Sequence, residues 1–172
     1  LKSLTSDLFD MAKLQSGSEE MNFEKIDLCL LIRQTLAEYE KAIAGSGLEF
    51  ITEFQNSEQF ITADGKKLSR VICNLIDNCL KYSLENTRVY ITVKEISPGT
   101  VFEIKNISKN RLDCNPEELT ERFVRGDSSR STEGSGLGLA IAKSYTLANK
   151  ADFAVKADGD LFKVIITFSF CP

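Results

Sequence analysis

The chain has 172 residues, 42% of them hydrophobic, and a net charge of −4. That suffices for one packed domain and argues against wholesale disorder and against a nucleic-acid binder held by a basic field. It contains no histidine, which excludes His-based triads, His metal sites and His acid–base chemistry within these residues.

Residues 1–16 place Leu1, Leu4, Leu8 and Met11 at alternating spacings of three and four. This is an a/d seam, expected to form a helix packing on another helix; the alternative is an ordinary amphipathic helix. "QSGSEE" breaks the pattern and reads as a linker. The chain does not start with Met and opens in mid-pattern, so a fragment of a longer protein is expected. A second helix is predicted over about 27–44, capped by Asp27, with Gly45 and Gly47 beyond its end. "LEFITEF" (48–54) and "QFITAD" (59–64) read as strands, and a third helix follows over about 66–83. "RVYITVKEI" and "TVFEIKNI" form a predicted hairpin joined by "SPG".

Residues 107–133 are polar and aperiodic apart from one short helix, with Asn115 as cap and Pro116 at the first position. A connection this long inside a compact domain points to function or mobility. Another helix is predicted over 137–149, and the chain ends in a hairpin, "ADFAVKA" and "LFKVIITFSF", turned by "DGD". The alternation of helices and hairpins predicts a two-layer α/β sandwich, with a mixed, mostly antiparallel sheet and helices on one face. The five cysteines (Cys29, Cys73, Cys79, Cys114, Cys171) form no CxxC pair, which fits a reducing cytosol. No apolar run approaches the ~18 residues of a membrane span, and no signal peptide is visible.

On the third helix, Leu68, Val71, Ile72, Leu75, Ile76 and Cys79 recur at i, i+3, i+4, i+7, i+8 and i+11 and make an apolar stripe. Arg70, Asn74, Asp77, Asn78 and Lys81 share the opposite side. Asparagine is a poor residue for a helix interior. Two of them one turn apart, close to a lysine, are either a solvated face or a site, since an amide oxygen can ligate Mg²⁺ and an ammonium can meet phosphate. "GSGLGLAIAK" (134–143) sets three glycines at alternate positions before a helix. It is either a tight packing turn or a phosphate cradle at a helix N-terminus.

The combination is more specific than its parts. "NLIDNCLKYS", "ERFVRGDSSR" and "GSGLGLAIAK", in that order and spacing, resemble the N, F and G2 boxes of the catalytic and ATP-binding domain of sensor histidine kinases. That family shares an ATPase superfamily with gyrase and the mismatch-repair ATPases, and the fold implied is of the Bergerat type. The resemblance implies that residues 1–20 are the end of a dimerisation helix and its linker. It implies a kinase domain over 21–172, with a lid at about 107–133. By matching positions, Asn78 would ligate Mg²⁺, Lys81 would meet the phosphates, and Tyr82 would lie against adenine. Asn74 stands where the ATPase relatives carry a water-activating Glu; an amide cannot take that proton, so hydrolysis should be slow. Arg125 and Arg130 of the lid could neutralise charge on the γ-phosphate. Gly134, Ser135, Gly136, Leu137 and Gly138 would cradle phosphates.

The family's D-x-G-x-G box appears here as "NISKN". Asn106 takes the place of the Asp that accepts from the adenine amino group, and it still offers a carbonyl oxygen. Ser108 and Asn110 replace both glycines, Thr120 stands where a second Phe is common, and Asn149-Lys150 replaces a usual Gly-Gly. The cofactors implied are ATP and Mg²⁺. The partners implied are the parent's own dimerisation and phosphoacceptor domain upstream of Leu1, which would supply the missing His, and a cognate response regulator. The parent is expected to be a homodimer anchored in the cell membrane, with this domain in the cytoplasm. Two other readings compete: a degenerate, non-catalytic nucleotide-sensing module, suggested by the altered box, and a gyrase-type ATPase, against which Asn74 speaks.

Overall fold

The computed structural model describes residues 20–112 and 136–169. Strand β1 (Glu24–Asp27) leads into helix α1 (Leu28–Glu38), and α2 (Glu40–Ser46) follows. Asp27 caps α1 as predicted, accepting from the Cys29 amide at 3.0 Å. It also accepts from the Gln59 amide at 2.9 Å. The single helix predicted over 27–44 is thus two: it breaks at Tyr39, and Gly45 lies inside α2. Gly47 ends α2 in the left-handed conformation (φ 71°), which glycine adopts without steric cost.

Strands β2 (Glu49–Phe54) and β3 (Phe60–Ala63) join different sheets. β3 pairs antiparallel with β1, the one described strand that the sequence pattern did not predict. Four residues, "EKID", alternate too briefly to register as a strand. β2 pairs parallel with β4 (Arg88–Ile96). Parallel neighbours need a crossover, and helix α3 (Gly65–Tyr82) lies within it. β4 and β5 (Gly99–Ile107) form the predicted hairpin. A Cβ on Gly99 would run into the carbonyl of Phe168, so only glycine fits there. Helix α4 (Gly138–Ala148) precedes the second predicted hairpin, β6 (Asp152–Asp158) with β7 (Leu161–Ser169). The main sheet has the order β2-β4-β5-β7-β6, antiparallel except for its first pair.

One face of this sheet carries the core. Val89, Ile91 and Val93 of β4, Phe102 and Ile104 of β5, and Phe162, Val164, Ile166 and Phe168 of β7 are buried at alternate positions. Against them pack α1, α3 and α4. The whole apolar stripe of α3 is buried, Leu68 through Cys79. The two-layer sandwich is the predicted one. The packing fixes the rotation of α3, and so decides where its opposite stripe points.

Candidate functional site

The N-terminal end of α3 is a closed hydrogen-bond node. Asp64 caps the helix, accepting from the Lys67 amide at 3.1 Å and from the Asn22 amide at 3.0 Å. The Lys67 ammonium lies 3.3 Å from the same carboxylate and donates to the Glu20 carbonyl at 2.9 Å. The Asp64 amide donates to Asn149 Oδ1 at 2.6 Å, and Asn149 Nδ2 donates to the Tyr145 carbonyl at 2.9 Å. Burial alone would raise the Asp64 carboxyl, but the Asn22 and Lys67 hydrogen bonds and the Lys67 charge outweigh it and hold the group below its ordinary value. Asn149, at 3% exposure, therefore serves the fold where the resemblance leads one to expect glycine. Lys150 beside it adopts φ 57°, the left-handed conformation for which a glycine is suited.

Further along α3 the polar stripe divides. Burial first and the neighbouring Asp77 carboxylate second push the Tyr39 phenol above its ordinary range. Asp77 thus belongs to the seam between α1 and α3. Asn74 is different. It is 7% exposed, and its Nδ2 has no hydrogen-bond partner among the described residues. Asn78, one turn on, is half-buried, as are Lys81 and Tyr82. The Lys81 ammonium sits 5.2 Å from the centroid of the Tyr82 ring. A buried amide nitrogen without a partner costs about 1–3 kcal/mol.

Asn106 ends up against the same helix. It is 3% exposed. Its Nδ2 donates to Ser83 Oγ at 2.8 Å, and its Oδ1 lies 3.8 Å from the Cys79 thiol. Burial pushes the Cys79 thiol up to about 12, so it keeps its proton. The stretch after Asn106 is stitched down. Leu84 N donates to Ile107 O and Lys109 N to Tyr82 O, both at 2.8 Å, while Ser108 N donates to Asp160 O at 2.7 Å. The left-handed non-glycine residues among those described are Asn86 and Lys150. Ser108 and Asn110 therefore take the place of two glycines without left-handed strain. Residues 107–112 of the predicted lid segment are hydrogen-bonded to the body of the fold, and 113–133 lie outside the described residues.

Helix α4 starts at Gly138. Its N-cap, Leu137, makes no side-chain capping bond, and Gly136 before it has φ 69°. A helix start leaves amides in need of acceptors. Gly138 opens the helix, and a Cβ there would meet nothing within 4 Å. Neither its conformation nor its described neighbours require a glycine.

Residues 63–169 match the family described as histidine kinase-, DNA gyrase B-, and HSP90-like ATPase. The chain belongs to this family. It is 30% identical over 168 residues to "Probable sensor protein PcoS" of Escherichia coli, covering 95% of this chain and 35% of that protein. The chain spans 28–40% of the length of the first curated relatives it matches. Among solved structures it is similar to full-length ShkA in complex with AMPPNP, with TM-score 0.83 and 22% identity, over 98% of this chain and 36% of that one. It is also similar to histidine kinase ThkA in complex with the response regulator protein TrrA, with TM-score 0.73 and 21% identity, over 98% of this chain and 48% of that one. The fold is that of histidine kinase catalytic domains.

Within this ATPase family member, α3 brings Asn74, Asn78, Lys81 and Tyr82 together, with Asn106 against Cys79 on the same helix. Gly136, Leu137 and Gly138 stand at the start of α4, which packs against α3. Arg125, Arg130, Gly134 and Ser135 lie outside the described residues, as do the N-terminal seam, the short helix from Asn115, Thr120, Cys114 and Cys171. Sequence reasoning missed Ser83 and the hydrogen-bonding role of Cys79. The helical spacing of Cys79 and Ser83, i and i+4, could have found them as neighbours. No group of three or more Cys, Asp or Glu among the described residues could hold a metal. A divalent cation at Asn78 would therefore lean on one amide oxygen and on the oxygens of a bound phosphate, a donor set suited to Mg²⁺. No helix among the described residues is long and apolar enough to cross a membrane.

Proposed function

We propose that this chain is the ATP-binding kinase domain of a two-component sensor and passes the γ-phosphoryl group of ATP to a histidine on a dimerisation helix. The observation that carries the reading is the buried side chain of Asn74, whose Nδ2 has no partner among the described residues, one turn from Asn78 on the helix that also carries Lys81. Family membership supports ATP as the ligand. The 172 residues contain no histidine, so the acceptor imidazole comes from elsewhere in the parent protein.

In this reading Asn78 holds Mg²⁺, which when bound neutralises phosphate charge. Lys81 pairs with the phosphates, Tyr82 lies against the base, and the amides at Gly136–Gly138 face phosphate oxygens. Arg125 and Arg130 add positive charge at the γ-phosphate. Asn74 binds but abstracts no proton, since an amide is not a general base at neutral pH. Water is therefore left unactivated, and the phosphoryl group is retained for the histidine. A response regulator would receive it next, as the ThkA–TrrA complex suggests by likeness. The parent acts as a homodimer anchored at the membrane, with this domain in the cytoplasm.

The test is transfer. The chain, Mg²⁺ and γ-labelled ATP are mixed with the parent's histidine-bearing helix pair. Acid-labile label on the acceptor, with little free phosphate, is the expected result. A folded acceptor that stays unlabelled, or fast phosphate release without it, overturns the proposal.

A further inference from the structure

The outer face of the main sheet, opposite the helices, carries an ordered row of charge. Cross-strand register sets Lys156 of β6 opposite Lys163 of β7, and Lys163 opposite Lys105 of β5. Tyr90 and Ile51 continue the row across β4 and β2. The lysines alternate with the core-facing Val155, Val164 and Ile104, so they share the face away from the core. Directly opposed like charges destabilise a sheet. One carboxylate, Glu103, answers two of these lysines, 3.4 Å from Lys163 and 3.9 Å from Lys105. The Lys105 ammonium also lies 5.2 Å from the centroid of the Tyr90 ring. A lysine on an edge strand guards against edge-to-edge pairing, which accounts for Lys156. It does not account for Lys163 and Lys105, because β7 and β5 lie inside the sheet.

We propose that this lysine row docks an acidic helix of a partner protein, laid across the strands. Neighbouring strands lie about 4.8 Å apart, and carboxylates on successive turns of a helix lie about 5.4 Å apart. The flexible four-carbon lysine stems absorb the difference. Ile107 and Leu161 on one side of the row, and Ile165 on the other, offer apolar contact to the flanks of the helix. A broad anionic surface fits this face less well than a narrow acidic stripe does. Glu53, Asp152 and Asp158 share the face and would repel it, and the chain as a whole carries a charge of −4. The row lies across the sheet from α3, so nucleotide binding does not depend on it.

The probe is a synthetic peptide of about 20 residues, long enough to sustain a helix, with Glu at i, i+4 and i+7 and Leu beside them. Its control carries Gln in place of Glu. Titrated into the isotope-labelled chain, the Glu peptide should shift the amide resonances around Lys105, Lys156 and Lys163, and the Gln peptide should not. Binding should weaken about two- to fivefold in Lys163→Thr, and should fall as salt is raised to about 0.5 M. Lys163→Thr removes the middle charge of the row and keeps strand propensity, so its melting temperature should not fall and its ADP affinity should match that of the unmodified chain. No binding, equal binding of the two peptides, or binding that survives Lys163→Thr overturns the proposal. A clear fall in the melting temperature of Lys163→Thr makes the row structural and overturns it as well. Vesicles containing phosphatidylserine that bind the chain more tightly than the Glu peptide does would make the occupant a membrane, and self-association lost in Lys163→Thr would make it a second copy; either result overturns the proposal.

Discussion

At its N-terminal end, α3 is capped by Asp64, whose carboxylate meets Asn22 and Lys67 and whose amide meets Asn149. In its C-terminal half, Asn74 keeps a buried nitrogen with no partner among the described residues, and Asn106 lies against Ser83 and Cys79. The same residue type, a buried asparagine, is answered in one place and unanswered in the other. Asn149 and Asn74 are 3% and 7% exposed, so burial alone does not separate them; hydrogen-bond accounting does. A buried polar group that the chain satisfies serves the fold, and one left over calls for an explanation of its own.

The sharpest way to break this comparison is to make one change at both asparagines. Asn149→Leu should destabilise the fold by about 2 kcal/mol, since it takes the acceptor from the buried Asp64 amide, while the Tyr145 carbonyl keeps the Asn149 backbone N–H. Asn74→Leu should leave stability unchanged or raise it by about 1 kcal/mol, because it removes an orphaned amide, while weakening nucleotide binding at least about tenfold. Urea denaturation with a nucleotide titration on each variant reads both effects. Loss of stability at Asn74 equal to that at Asn149 would dissolve the distinction.

Asp64→Ala should cost about 2 kcal/mol, from the lost cap and lost charge-assisted bonds. Its acid sensitivity has a definite sign. The folded carboxyl is held below its ordinary value of 3.8, so its stabilisation is complete above that pH. It fades as the pH falls from 3.8 toward the depressed folded value. Denaturation of the chain and of Asp64→Asn across this range should show the difference between them shrinking as acid is added.

Gly138→Ala should raise stability by up to about 0.5 kcal/mol, because nothing crowds a Cβ there and alanine favours the helix. Nucleotide affinity should still fall. Lys150→Gly has the smallest expected effect, a gain of about 0.5 kcal/mol as left-handed strain at φ 57° is relieved. A thermal melt of each variant reads the stability changes, and an ADP titration of Gly138→Ala reads the affinity.

The layers were legible in the sequence because the apolar stripe of α3 and both hairpins carry strong periodic signals. The break at Tyr39 was not, since apolar spacing continues across it. β1 was too short to read. At the candidate site, Asn74, Asn78 and Lys81 share a helix, so spacing alone grouped them. The setting of Asn106 was hidden, because Cys79 and Ser83 reach it across 27 and 23 residues of chain. The structural duty of Asn149 was hidden for the same reason, with Asp64 lying 85 residues away.

The most direct test is calorimetric titration of ADP, with and without Mg²⁺, into the chain and its Asn78→Ala variant. The account predicts micromolar binding that needs Mg²⁺ and weakens at least about tenfold in the variant, with the fold intact. A folded chain that takes up no nucleotide, or binding indifferent to Asn78 and to Mg²⁺, would contradict the placement of the site on α3.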